Sequence, residues 1–386
     1  MNVGIVTTWF ERGAAYVSRQ YQQSLEKSGA KVFIFARGED NAKGNPLWDR
    51  ANVHWAKTWP LTDATKMQVH DFKNWLHKNK IELVIFNEQR DLWPIAVCQS
   101  LGVRTVAYID YYRSNSVAKF SCYDGLICNT KRHYSVFAWH PGALYLPWGT
   151  DTDLFQPPSD HPKLVNDGVV TFFHSAGQSN RKGTDLLIEA FSKMPASGKL
   201  IIHTQKKLQD MFPQQDEIAC KLESEGRLKV ITETVPAPGL YHMGDVYVYP
   251  TKLEGIGLTV CEAMSCGLAS IVPDNAPMNE FVENNETSLL VNVDSFVARH
   301  DGYYWPMCFI NIEDLAKKMA FCARNLQWVI SAKKKARAKM LRDHNWETNS
   351  ATLLDYLDSL EVQGQQIAVT SFCKRMANRM KYISDV

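Results

Sequence analysis

The feature that most restricts the fold of this chain is an end-to-end alternation of short apolar runs with helix-period patterns. Residues 3–7 read as a first strand, and Val17, Tyr21 and Leu25 then recur every four residues, the stripe of an amphipathic helix. Further strands are expected at residues 32–36, 83–87, 105–109, 125–128 and 144–147, with helical segments at 66–79 and 92–101. Strands separated by helices lie parallel in one sheet, with helices on both of its faces. A second series follows, with strands at 169–174, 200–203, 228–231, 245–250, 269–272 and 289–291 and helices at 183–191 and 257–266. The last quarter turns helical, at 312–325, 327–342 and 346–360, and no internal repeat is visible.

A length of 386 residues suits two α/β domains of ordinary size. The stretch 149–167 holds three prolines and several aspartates with little periodicity, and reads as the junction. The expected division is a Rossmann-like domain over 1–155, a linker over 156–167, a second Rossmann-like domain over 168–364, and a C-terminal segment over 365–386. Two doubly wound domains in series place a ligand at the carboxyl ends of both sheets, in a cleft between them.

Composition excludes some partners. Lys and Arg number 43 against 41 Asp and Glu, a net charge of +2, so no broad nucleic-acid binding is expected. No run approaches the ~20 apolar residues that span a bilayer, and residues 1–13 read as a strand entering a loop rather than a leader. The nine cysteines are scattered, form no CxxC pair and suggest neither a zinc site nor a disulfide framework. A cytoplasmic protein with buried free thiols is the expectation.

The most informative stretch is 246–267. A buried strand ends at Pro250, a loop carries Gly255 and Gly257, and a helix follows that Gly267 stops. Backbone N–H groups at such a helix start favour a phosphate or an oxygen-rich ligand. Glu254 lies in the loop and Glu262 on the helix, with seven residues between them. Two carboxylates so placed can accept hydrogen bonds from two sets of sugar hydroxyls. The plainer reading is a solvated helix residue and an acid favoured by the helix dipole.

This strand, glycine loop and paired glutamates resemble the signature of retaining glycosyltransferases of the GT-B fold, in particular family four, the glycosyl transferases of group 1. The resemblance implies two Rossmann-like domains facing across a cleft, with a C-terminal helix returning to the first. It implies that Glu254 lies beside the donor sugar, that Glu262 binds the nucleotide ribose, and that Gly255, Ile256, Gly257, Leu258 and Thr259 line the donor sugar and phosphates.

A second signal is 172–191, a strand, a polar loop with Arg181 and Lys182, and a helix. Fixed cations and a helix N-terminus there would stabilise the charge that develops on a departing nucleoside diphosphate. Lys182-Gly183 matches the family's loop end. Gln178 stands at the usual arginine position and the loop is one residue short, so Arg181 is the candidate to supply that cation from a shifted place. A surface basic pair opening an ordinary helix is the alternative.

In the first domain, Gly13 matches one glycine of the family's first loop, while Ala14 replaces the second. Ile109 occupies the position of the family's histidine, so that role is not carried over. Asp110 remains a candidate for sugar or acceptor contact, or a loop cap. Residues 147–155 resemble the family's domain junction, so Asp151-Thr152-Asp153 reads as linker rather than as a metal-binding DxD. Asn279-Glu280 resembles a further element, with the glycine expected after it replaced near 285–288. The resemblance covers most of residues 1–365.

The reading is thus a metal-independent, retaining glycosyltransferase with no cofactor, taking a nucleotide-sugar donor and a hydroxyl acceptor, in the manner of polysaccharide biosynthesis enzymes. A nucleotide-sugar epimerase and a non-catalytic nucleotide-sugar-binding protein are the rivals. The tail carries Lys374, Arg375, Arg379 and Lys381 beside Phe372, Met376 and Met380. The family's returning helix would bury that apolar set; the alternative is weak contact with the inner membrane surface.

Overall fold

The computed structural model describes residues 1–37, 42–57, 65–158, 168–194 and 197–362. They form two compact units. The first comprises Met1–Pro147 and the described residues from Glu347 onward, and the second Trp148–Trp346.

The first unit is built on seven strands: β1 (Asn2–Thr8), β2 (Lys31–Arg37), β3 (Val53–Trp55), β4 (Leu83–Asn87), β5 (Arg104–Ile109), β6 (Gly125–Cys128) and β7 (Ala143–Tyr145). Their order is β3-β2-β1-β4-β5-β6-β7, and all pairs are parallel. The central strands are apolar on both faces because helices cover both; every residue of β4 is buried. The order reverses at β1, which pairs with β2 on one side and β4 on the other, the switch point at which open α/β sheets bind ligands. The helix Leu353–Ser359 belongs to this unit and packs on β6. Tyr356 donates to the Gly142 carbonyl at 2.7 Å, and a Cβ at Gly125 would lie 2.4 Å from the Tyr356 hydroxyl.

The second unit holds a six-stranded parallel sheet of β8 (Thr171–Gly177), β9 (Lys199–Thr204), β10 (Leu228–Thr232), β11 (Val246–Val248), β12 (Ala269–Pro273) and β13 (Ser288–Val291). Its order is β10-β9-β8-β11-β12-β13. An antiparallel hairpin of β14 (Val293–Val297) and β15 (Met307–Ile310) follows. The core packs Phe172, Leu187, Phe191, Leu200, Val246 and Ile271 with Leu315 and Met319. The two sheets share a brace. A buried aspartate accepts the N–H that opens a neighbouring strand: Asp124 from Thr105 at 2.6 Å, and Asp245 from Thr171 at 2.9 Å. Asp245 is also paired with Lys333 at 2.9 Å, and Lys333 and Lys339 are both buried.

The parallel strands fall within a few residues of their expected places. Three features differ. The strand β3 and the hairpin were not expected, because β3 is only half-buried along its length and most of β14 is exposed. The expected helix over 346–360 is two short helices, Trp346–Asn349 and Leu353–Ser359, broken where Ser350 turns its hydroxyl to Ser24. Phe155 packs in the second unit, its carbonyl bonded by Ser265 and Arg337. Residues 159–167 of the expected linker and the whole segment 365–386, with its basic and apolar side chains, lie outside the described residues. Eight cysteines are free, seven of them buried and Cys220 exposed; Cys373 lies outside the described residues. No helix among the described residues is long and apolar enough to cross a membrane.

Candidate donor site in the second unit

Two loops at the carboxyl end of the second sheet build the site. One follows β8 and makes a single turn over Asn180–Lys182 before the helix Thr184–Lys193. The other follows β11 and runs to the helix Leu258–Ser265. They are tied together by backbone. The Lys252 N–H donates to the Arg181 carbonyl at 2.8 Å, with the Thr251 hydroxyl 3.2 Å from the same oxygen. Gly183 permits this approach: its φ is +75°, and a Cβ there would lie 1.9 Å from the Pro250 carbonyl oxygen. His174 struts the loops from below. Its Nδ1 lies 2.8 Å from the Val248 carbonyl, an acceptor, so Nδ1 donates; Nε2, 2.8 Å from the Thr184 hydroxyl, accepts. Burial lowers its pKa to about 4, which keeps the ring neutral.

Lys182 and Glu254, from the two loops, meet at 2.7 Å. Glu254 Oε1 also accepts from the Thr251 and Tyr249 hydroxyls, each at 2.9 Å, and Lys182 donates to Tyr249 as well. All three bonds to the carboxylate fall on Oε1. Burial pushes the Glu254 pKa up, but Lys182's charge and hydrogen bond, Arg181's charge and the Thr251 hydroxyl outweigh it. The carboxyl therefore sits below its ordinary range and is ionised at neutral pH. With a depressed pKa, its contribution to stability is present above the ordinary carboxylate value and is lost as pH falls through the lowered one.

Glu262 sits one helical turn into Leu258–Ser265. It accepts from the Tyr241 hydroxyl at 2.6 Å, and burial raises its pKa against that bond and the field of Lys182. Tyr241, Tyr247 and Tyr249 link the two carboxylates through ring contacts: Tyr241 meets Tyr247 edge-on at 5.9 Å, and Tyr247 stacks on Tyr249 at 5.3 Å. Gly255, Ile256 and Gly257 form the intervening turn, and Leu258 and Thr259 open the helix. Gly257 has φ +88°, and no side chain caps the helix. Val260 N–H turns back to the Gly257 carbonyl at 3.1 Å, which leaves the N–H groups of Leu258 and Thr259 without an intrahelical partner. Gly257 packs on Met278, beside the turn Met278–Glu280. The glycine expected further on is Asn285, which adopts φ +64°; asparagine is the ordinary substitute for glycine there.

The remaining expected residues fall elsewhere. Arg181 contributes its carbonyl to the loop junction and its charge to Glu254, and it lines a cavity beside the loops with Asp185 and Lys252. Asp151 accepts the N–H groups of Asp153 and Leu154, at 3.1 and 2.9 Å, and so caps a turn. In the first unit, Gly13 opens the helix Gly13–Lys27, whose start has no side-chain cap. Asp110 follows β5, half-buried beside Glu88, and its pKa is pushed well above the usual range by burial and by that carboxylate. Glu88 itself holds φ +48°, and Arg37 donates to its carbonyl and to that of Asn87. Sequence reasoning missed Tyr241, Tyr249, Thr251 and Glu88. Tyr247 lies on β11 and Tyr249 just after it, within the expected strand 245–250, where both were read only as buried. Among the described residues, no group of three or more His, Cys, Asp or Glu is placed to hold a metal ion.

Two parallel-sheet α/β units in series have the GT-B fold. Residues 168–300 match the family model described as glycosyl transferases group 1. The chain is 28% identical over 166 residues to the lipopolysaccharide core biosynthesis mannosyltransferase LpsB of Rhizobium meliloti, covering 40% of this chain and 47% of that one. The chain thus spans about half the length, or less, of the curated relatives it matches. Sucrose-phosphate synthase from Thermosynechococcus elongatus has the same fold, with a TM-score of 0.71 at 18% identity over 93% of this chain and 98% of that one. HepE from Anabaena in complex with UDP and glucose matches with a TM-score of 0.69 at 16% identity, over 93% and 100% of the two chains.

Proposed function

We propose that the protein is a retaining, metal-independent glycosyltransferase that moves a sugar from a nucleotide-sugar donor to a hydroxyl acceptor of a glycan or glycolipid. The donor binds the second unit and the acceptor the first, on the cytoplasmic side. The observation that carries this reading is the Lys182–Glu254 pair, held by Tyr249 and Thr251 beside an uncapped helix start, in a domain that matches the group 1 family.

Lys182 and the N–H groups at the start of Leu258–Ser265 neutralise the diphosphate, whose charge grows as the glycosidic bond breaks. Lys182 must then share its ammonium between Glu254 and the phosphates. With Oε1 engaged, Oε2 of Glu254 receives the donor-sugar hydroxyls. Glu262, steadied by Tyr241, receives the ribose hydroxyls. In the transfer, the bond from C1 to the phosphate oxygen breaks and the acceptor oxygen bonds C1 on the same face. The acceptor's proton passes to the departing diphosphate. Asp110, with a raised pKa, is suited to donate a hydrogen bond to the acceptor, and Gly13 offers backbone N–H groups to the phosphates.

The test is a transfer assay in which the anomeric configuration of the product is read by NMR, with and without EDTA. The expected result is an α-linked product from an α-linked donor and a rate that survives chelation. Complete loss in EDTA, restored by Mg²⁺ or Mn²⁺, contradicts metal independence, and an inverted product contradicts retention. An epimerase would release free nucleotide with no acceptor product, and a binding protein would turn over nothing.

A further inference from the structure

Lys182, Glu254 and Tyr249 form a closed triangle. Lys182 Nζ donates to Glu254 Oε1 at 2.7 Å and also to the Tyr249 hydroxyl, and that hydroxyl lies 2.9 Å from the same Oε1. An ammonium only donates and an ionised carboxylate only accepts. The tyrosine must therefore accept from Lys182 and give its single proton to Glu254. Burial and the charge of Glu254 hold the Tyr249 pKa well above the ordinary tyrosine range, so the hydroxyl keeps that proton.

The three donors to Oε1 are not equally free to stay there. Thr251, 2.9 Å from Oε1, also has the Arg181 carbonyl within 3.2 Å, and its hydroxyl has one proton for both. Lys182 is the cation that a bound diphosphate would draw on, and each ammonium proton turned to a phosphate is lost to the carboxylate. Tyr249 is fixed in place. Its side chain has no exposed surface, its ring stacks on Tyr247 at 5.3 Å and lies 6.1 Å from the neutral His174 ring, and its N–H is held by the Ile271 carbonyl at 2.9 Å. A part-buried carboxylate stripped of its donors turns away or takes up a proton.

We infer that Tyr249 is a positioning residue: its hydroxyl keeps Oε1 of Glu254 bonded while Lys182 shifts its charge to the diphosphate, so that Oε2 stays turned to the donor sugar. The shift of Lys182 rests on the proposed glycosyl transfer; the bond from Tyr249 to the carboxylate does not. The cations acting on Glu254 are Lys182 and Arg181, both on the loop after β8.

The experiment is Tyr249→Phe in the full chain, which removes the hydroxyl and keeps the ring contacts. With the best nucleotide-sugar donor, kcat should fall about tenfold while donor KM stays within about twofold. The acid limb of the kcat profile should move to higher pH, because Glu254 loses a donor that favours its ionised form. Melting temperature checks the fold. A lower melting temperature with kcat and the acid limb in place would mean a structural role only and overturns the proposal, as does a loss confined to KM.

A second measurement needs no donor. The Glu254 carboxyl is titrated by NMR of isotope-labelled glutamate, assigned with Glu254→Gln, in the unmodified protein, Lys182→Ala, Tyr249→Phe and the double variant. Removal of the lysine stands in for its withdrawal to a phosphate. Tyr249→Phe should raise the proton affinity of the carboxyl about tenfold in the Lys182→Ala background, and by less where the lysine is present. Equal proton affinity with and without the hydroxyl in that background overturns the proposal. If the unmodified protein transfers sugar from no donor, the proposed function fails, and this titration alone decides whether Tyr249 holds Glu254.

Discussion

Replacing Lys182 with Ala should lower kcat by about 10²–10³-fold, the loss seen when one preorganised group that stabilises developing charge is removed. The lysine supplies the cation closest to Glu254, and charge on the diphosphate is greater in the transition state than in the bound donor. Donor KM should therefore change far less than kcat. The variant should remain folded. The Lys182 and Glu254 side chains are 21% and 11% exposed, so Glu254 can be hydrated once its partner is gone. Steady-state kinetics with both substrates varied gives the two constants. A rise in KM with unchanged kcat would mean that Lys182 only holds the donor, and an unchanged rate would remove it from the chemistry.

Gly183→Ala should cost about 3 kcal/mol of stability in the second unit, from two independent sources. A left-handed backbone at a non-glycine residue costs roughly 1–2 kcal/mol. Overpacking costs roughly 1–3 kcal/mol, and here the added Cβ would sit 1.9 Å from a backbone oxygen, that of Pro250. The rigid obstacle decides the size of the effect. At Gly257 the added Cβ would approach the Met278 methyl at 2.0 Å, but that methyl ends a flexible side chain and can swing aside. Gly257→Ala should therefore be the milder change. Urea unfolding of both variants, at unchanged m-value, measures the difference. Equal stability of Gly183→Ala and the unmodified protein would show that the two loops are not locked at Pro250.

The same loop pair shows what the sequence could reveal. Lys182, Glu254 and Glu262 were singled out because glycines stand at fixed offsets from them, and Gly183 and Gly257 occupy the left-handed conformations that such loops need. The parallel strands were visible because burial on both faces leaves unbroken apolar runs, as in β4 and β12. What was hidden has a physical reason in each case. Tyr249 reads as a strand residue, and only three-dimensional packing turns its hydroxyl toward Lys182 and Glu254. The hairpin β14–β15 has Phe296 and Val297 exposed, so no burial pattern marks it. Arg181 and Lys182 are adjacent in sequence, yet one lines the cavity with Asp185 and the other meets Glu254. The acid pair of Glu88 and Asp110 joins the ends of two strands, β4 and β5, and no local pattern foretells it.

The central claim is that the second unit holds a nucleotide-sugar donor through Glu262 and the loop around Glu254. Calorimetric titration of the protein and its Glu262→Ala variant with UDP-, GDP-, ADP- and TDP-sugars tests it most directly. The account predicts that at least one donor binds the unmodified protein. It also predicts that the variant binds that donor more weakly by ~1.5–3 kcal/mol, the worth of a hydrogen bond to a charged group, or about 10–150-fold in Kd. Equal affinity of the two proteins would contradict the ribose role of Glu262, and the absence of binding by every donor would contradict the account as a whole.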